Sequence, residues 1–166
     1  MREREQIELI RIENENDIIK NPFEMKAIDL YEIGVSNQDD ARAKLLRYYN
    51  MSNETYLIRA YSKKIIGIFG IREVTSTDAL PWALTAEIVK EDTFDFLRAS
   101  VRMASFYKRK YELLYNFTSC KNVTAQRWLE YLGFNILRDN VLCMYHGIDM
   151  YRFEWRKSLD DNSFCK

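Results

Sequence analysis

The chain has little of what punctuates or staples a fold. It carries only 5 glycines, 2 prolines, 3 cysteines and 1 histidine in 166 residues. So few glycines and prolines exclude a collagen-like or low-complexity chain and leave room for long regular elements. Cys120, Cys143 and Cys165 are odd in number and lack Cys-x-x-Cys spacing, so neither a disulfide framework nor a zinc site is expected. With His146 as the single histidine, no carboxylate–histidine cluster forms in the sequence, and no metal is expected. No run approaches the roughly 18 apolar residues of a membrane-spanning helix. Met1 to Glu8 is charged and no apolar stretch follows, so no signal peptide is expected. Lysine plus arginine equals aspartate plus glutamate at 25 each, so no one-signed field draws the chain to nucleic acid. Neutral net charge also eases self-association, and a homo-oligomer fits it.

What is present is a globular composition. Hydrophobic residues make up 47% of the chain, enough for a core, and the length fits one domain. A domain near this size buries roughly 68–70% of its unfolded surface and needs no staple. The 11 tyrosines and 9 phenylalanines can fill that core or anchor a partner. The expected domain covers residues 1–156, with a polar tail from 157 to 166.

Local patterns give the elements. Residues 7–12 alternate as a first strand. A helical pattern runs from Glu15 to Ile33, with Ile18, Ile19, Phe23, Ala27, Leu30 and Tyr31 as its apolar stripe. Pro22 marks a boundary near its start and Gly34 a stop. Asp39 or Asp40 caps a second helix carrying Ala41, Leu45, Leu46 and Tyr49. Thr55–Tyr61 and Ile65–Val74 read as a hairpin around Ser62-Lys63-Lys64. Gly67 and Gly70 mark a bulge, a close backbone approach or plain packing. After a loop over Thr75–Asp78, Trp82–Val89 is a strand following Pro81.

Residues 93–111 form the clearest helix, with Phe94, Leu97, Val101, Ala104 and Lys108 at helical spacing, Phe96, Met103 and Tyr107 broadening the apolar face, and Asp92 as cap with Asp95 three residues on. Leu113–Phe117 is a strand and Val123–Leu132 a short helix stopped by Gly133. Two strands near Val141–Tyr145 and Tyr151–Trp155 close the order. The result is an α/β or α+β fold: a twisted mixed sheet flanked by about four helices.

The most specific segment is Asn122-Val-Thr-Ala-Gln-Arg-Trp-Leu-Glu-Tyr-Leu-Gly-Phe134. On its own terms Asn122 caps a helix, Ala125, Trp128, Leu129 and Leu132 make its apolar stripe, and Phe134 returns to the core. Its spacing of Asn122, Ala125, Trp128, Gly133 and Phe134, with the element order, resembles the Gcn5-related N-acyltransferase superfamily over nearly the whole chain. More narrowly, Leu114-Tyr115-Asn116 with that segment looks like the internal virion protein A group of podophages. If the chain is catalytic, the resemblance implies acetyl-coenzyme A in the splay between the fourth and fifth strands. Ile88, Val89, Lys90, Asn122 and Ala125 would hold it. Glu87 would then be the base for an amine, and Tyr115 the acid.

Two departures argue against catalysis. The superfamily's diphosphate loop is glycine-rich, because the backbone must approach the anion and present N–H groups. Here Val89-Lys90-Glu91-Asp92-Thr93-Phe94-Asp95 has no glycine and three carboxylates. The superfamily's tyrosine seven residues after the asparagine is Leu129, and Tyr131 lies about 200° further around the helix. Glu73 is a weaker base candidate, Cys120 reads as a buried thiol, and Arg98, Arg102 and Arg109 share a solvated face. The expectation is therefore a non-catalytic phage protein with no cofactor. It would bind a protein partner, such as a phage structural protein, in the host cytoplasm or the virion. Nucleic acid and membrane are not expected partners. The alternative is an acyl-coenzyme A-dependent N-acetyltransferase acting on an amine.

Overall fold

The computed structural model describes residues 7–88, 90–144 and 146–158. The strands are β1 (Glu8–Arg11), β2 (Glu54–Arg59), β3 (Ile65–Glu73), β4 (Asp78–Thr85), β5 (Leu113–Ser119), β6 (Asn135–Cys143) and β7 (Asp149–Arg156). The helices are α1 (Glu15–Ile19), α2 (Ala27–Glu32), α3 (Gln38–Met51), α4 (Thr93–Lys110) and α5 (Val123–Tyr131). The strands make one mixed seven-stranded sheet in the order β1-β2-β3-β4-β5-β7-β6, with helices flanking it. The chain divides into two compact units, one of residues 1–72 and 81–102, the other of 73–80 and 103–166.

In the first unit, β1, β2 and β3 pair antiparallel, with Leu57 opposite Ile68 and Ile10. The pairing shifts register between Ile58 and Arg59, so the ladder carries a bulge near its turn. Ile12, Ile18, Met25, Ile33, Ala41, Leu45, Leu57, Ile68 and Leu84 form the core here. Leu57 and Ile68 are fully buried, worth about 1.5–3 kcal/mol each.

The single helix expected over residues 15–33 is two. Its first piece ends at Ile19 because Pro22 has no N–H to give and biases Asn21 away from helical backbone. The change of direction leaves Ile19 61% exposed, with Ala27 and Tyr31 also outside, so the predicted stripe holds only in part. Asn37, not Asp39 or Asp40, caps α3: its Oδ1 accepts the Asp40 N–H at 2.8 Å.

The two strand glycines mark close approaches. A Cβ on Gly70 would lie 2.2 Å from Trp82 Cε2, and one on Gly67 would lie 3.1 Å from the Leu84 carbonyl oxygen. The Trp82 indole that occupies this space donates from Nε1 to Ser52 Oγ at 2.8 Å and tilts against Tyr48.

β4 begins four residues earlier than the sequence suggests, taking Pro81 inside it, and ends at Thr85. The preceding turn closes when Val74 N–H bonds the Asp78 carbonyl at 2.9 Å. The buried positions of α4 are Phe96, Ala99, Ser100, Met103, Ala104 and Tyr107, while Phe94 is 72% exposed and Val101 is exposed. The expected face thus holds at Phe96, Met103, Ala104 and Tyr107 and fails at Phe94 and Val101, and positions 96, 99, 103 and 107 centre the buried side.

In the second unit, β4 and β5 pair in parallel at Asp78–Leu113 and Ala79–Leu114. β5 then pairs antiparallel with β7 along its whole length, and β6 with β7. β6 starts at Asn135, six residues before the expected strand, with a register shift between Leu137 and Val141. Asn122 is buried and its Oδ1 accepts the Ala125 N–H at 3.1 Å, capping α5 as its residue type predicts. Leu129, Leu132 and Phe134 are buried, and Gly133 ends the helix at φ +89°.

Lys108 reaches back to donate to the Leu132 carbonyl and lies over the Phe134 and Trp155 rings. Partial burial pushes its pKa down. Tyr111 is buried and donates its hydroxyl to Glu73 at 2.6 Å, with Lys110 3.5 Å from the same carboxylate. The expected tail begins at Lys157, whose N–H bonds the Glu112 carbonyl at 2.8 Å; residues 159–166 lie outside the described residues.

Candidate functional site

The chain between α1 and α2 cannot be helical at Pro22, so it runs extended toward the end of β4. Met25 makes an isolated antiparallel bridge with Ala86. Lys26 N–H bonds the Thr85 carbonyl at 3.0 Å, and Ala86 N–H bonds the Ile66 carbonyl at 3.1 Å. Gln38 of α3 clamps the same segment. Its Oε1 accepts the Met25 N–H at 3.1 Å, and its Nε2 donates to the Met25 carbonyl at 3.0 Å. These bonds hold the α1–α2 link, the start of β3 and the end of β4 around one cleft of about 640 Å³. Residues 22–27, 64–66, Ala86, Glu87 and Asp92 line it. Its volume suits a small-molecule site.

Asp29 anchors this arrangement from inside. It is 6% exposed, and its Oδ2 accepts the Thr85 N–H at 2.7 Å and the Thr85 hydroxyl at 3.0 Å. Burial pushes its pKa up; the Lys26 charge and the two Thr85 hydrogen bonds offset part of that, and Glu87 adds to it. The sequence reading passed over Asp29. The signal was available, since it falls four residues after Met25 and four before Ile33, both buried. A carboxylate at a core-facing position needs a partner.

Glu87, the predicted base, lines the cleft and is exposed. It lies just past the end of β4 rather than on the strand, because the strand closes at Thr85. Ile88 follows it, half-buried. Val89 lies outside the described residues, and Lys90 opens a 3-10 turn over Lys90–Asp92.

Tyr115, Asn122 and Ala125 belong to the second unit. Tyr115 is half-buried, with the Arg152 guanidinium 4.2 Å from its ring centroid. Arg152 also pairs with Glu154 at 3.1 Å. Glu73 is taken up by Tyr111 and Lys110, Cys120 is half-buried, and Tyr131 is 65% exposed. Arg98, Arg102 and Arg109 are all exposed.

The start of α4 tests the expected coenzyme. Asp92 is 3% exposed and accepts a hydrogen bond from the Ser62 hydroxyl at 3.1 Å. Asp95 accepts the Tyr61 N–H at 3.1 Å. Both carboxylates thus accept hydrogen bonds from the β2–β3 turn. They put negative charge where a diphosphate would need free N–H groups. This helix start does not fit a diphosphate.

The fold is shared with several solved structures. Spermidine N-acetyltransferase from Vibrio cholerae, solved with CoA and spermine, matches at TM-score 0.63 and 14% identity, covering 91% of this chain and 95% of that one. An acetyltransferase from Bacillus subtilis, solved with CoA, matches at TM-score 0.60 and 12% identity over 92% and 99% of the two chains. An IAA acetyltransferase from Bacillus cereus matches at TM-score 0.58 and 17% identity over 92% and 100%. The chain has the acetyltransferase fold. No family model matches the sequence, and no curated protein does.

This corrects the leading functional expectation. These three proteins, which share the fold over nine-tenths of the chain, are acetyltransferases, two of them solved with CoA, and not virion proteins acting through contacts alone. The narrower resemblance to podophage internal virion protein A finds no support among them. The missing glycines bear on how a diphosphate is held, and Leu129 on how a leaving thiolate is protonated; Glu87 lies on the cleft wall outside both stretches. No helix among the described residues is long and apolar enough to cross a membrane.

Proposed function

We propose that the chain is an N-acyltransferase that moves an acyl group from a thioester donor to an amine. The observation that carries this is the exposed Glu87 carboxylate on the wall of the cleft at the end of β4. In such a transfer the amine nitrogen bonds the acyl carbon, the carbon–sulfur bond breaks, and the amine loses one proton. Glu87 takes that proton directly or through a water. Asp29 acts as a positioning residue: by holding Thr85 it fixes the backbone from which Glu87 projects. The leaving thiolate takes up one proton from solvent water.

Acetyl-coenzyme A is the first donor to test, with its anionic end held elsewhere than at the start of α4. The experiment is thiol release from acetyl-coenzyme A across a panel of primary amines, paired with calorimetric titration of coenzyme A. Amine-dependent release that is lost in Glu87→Gln supports the reading. Absence of both release and coenzyme binding sinks it.

A further inference from the structure

The cleft's charges say more than that an amine enters. Glu24 and Glu87 line it as exposed carboxylates, and Lys26 and Lys64 line it as cations, half-buried and exposed respectively. Among the described residues, none of these four has an ion-pair partner. Asp92, the fifth charged residue of the lining, is buried and accepts a hydrogen bond from Ser62, and Lys26 also acts on the buried Asp29 carboxylate. The cleft therefore presents two exposed carboxylates, Glu24 and Glu87, and two ammonium groups, Lys26 and Lys64, around one volume.

A polyamine such as spermidine suits a cleft lined by carboxylates, and the two ammonium groups would repel it. A ligand of mixed sign satisfies all four. The remaining lining is apolar, with Phe23 and Ile65 half-buried beside Pro22. We infer that the acceptor is an amine that also bears a carboxylate and an apolar body, the chemistry of an amino acid with an apolar side chain. Its amine lies toward Glu87 and Glu24, its carboxylate toward Lys26 and Lys64, and its side chain against Phe23 and Ile65. Lysine suits this role as a point charge on a flexible stem. The volume of about 640 Å³ admits a molecule of that size.

The chemistry of this inference rests on the acyl-transfer reading; the binding does not. Transfer would join the acyl carbon to the amino nitrogen, release the donor thiol and pass one proton to Glu87, giving an N-acyl amino acid.

The test is calorimetric titration of the whole protein, alone and with coenzyme A present. L-phenylalanine, L-phenylalanine methyl ester and spermidine are the ligands. The acid is expected to bind at least tenfold more tightly than its ester, with spermidine weaker than the acid. Lys64→Met and Lys26→Met should each lower the acid-to-ester ratio at least threefold; Lys64 is exposed, so that variant keeps the test clear of folding. No binding of L-phenylalanine, an acid-to-ester ratio near one, or a preference for spermidine overturns the inference. Lysine-dependent binding of the acid without any thiol release would sink the acyl-transfer reading and leave the binding inference standing.

Discussion

Asp29 of α2 holds Thr85 at the end of β4 by two hydrogen bonds to one carboxylate oxygen, 2.7 Å from the backbone nitrogen and 3.0 Å from the hydroxyl. The pair lies 56 residues apart in sequence and is buried. Asp29→Ala leaves both donors without an acceptor inside the protein, at about 1–3 kcal/mol for each unsatisfied group. Urea unfolding should show a loss of roughly 2–6 kcal/mol by the same reasoning.

The raised pKa of Asp29 gives a pH signature. Because the folded state favours the protonated carboxyl, its stabilising contribution is complete below the unfolded value of 3.8 and is lost as pH rises through the folded value. Asp29→Asn keeps an oxygen acceptor and cannot ionise. The melting temperature of the parent minus that of Asp29→Asn should fall as pH rises through that window. A flat difference would remove the burial argument.

Glu73 has the opposite sign. The Tyr111 hydroxyl at 2.6 Å holds its pKa down, with Lys110 helping. The stabilisation is present above the unfolded value of 4.5 and is lost as pH falls through the folded one. Tyr111→Phe should flatten the acid limb of the urea midpoint measured against pH.

Gly70→Ala places a methyl group 2.2 Å from the Trp82 indole, so the ring must move or the strand must shift. Overpacking of this kind costs about 1–3 kcal/mol. Trp82→Phe removes the indole atoms nearest the new methyl group, and the double variant should lose less than the two single losses added. Denaturant midpoints of the four proteins check this.

Glu87→Gln should leave the melting temperature nearly unchanged, since the side chain is exposed. The rate of amine acylation should drop by about 10²–10⁴. A rate within a factor of a few of the parent's would remove Glu87 as the base.

Where local chemistry decides, the sequence was readable. Asn122, Leu129, Gly133 and Phe134 do in the fold what their residue types suggest, as cap, core, left-handed stop and core. Where a distant partner decides, it was not. Pro81 reads as a strand boundary but is carried inside β4. The face of α4 was legible at Phe96, Met103, Ala104 and Tyr107 but not at Phe94, which is exposed, and the acids at its start answer to Tyr61 and Ser62, thirty or more residues away. Glu87 was legible as a carboxylate after a strand. Glu24, Lys26 and Lys64 carried no local signal, because only the folded link between α1 and α2 brings them to the same cleft.

The clamp of Gln38 on Met25 makes one side-chain amide act as a neighbouring strand, offering an acceptor and a donor to the same residue. Gln38→Glu keeps the shape and exchanges the amide nitrogen for an oxygen. One hydrogen bond would survive and the other would become a carboxylate facing a carbonyl. The stiffness of the cleft wall thus depends on the identity of a single atom, and a side chain that never lines the cleft sets how well the cleft keeps its shape.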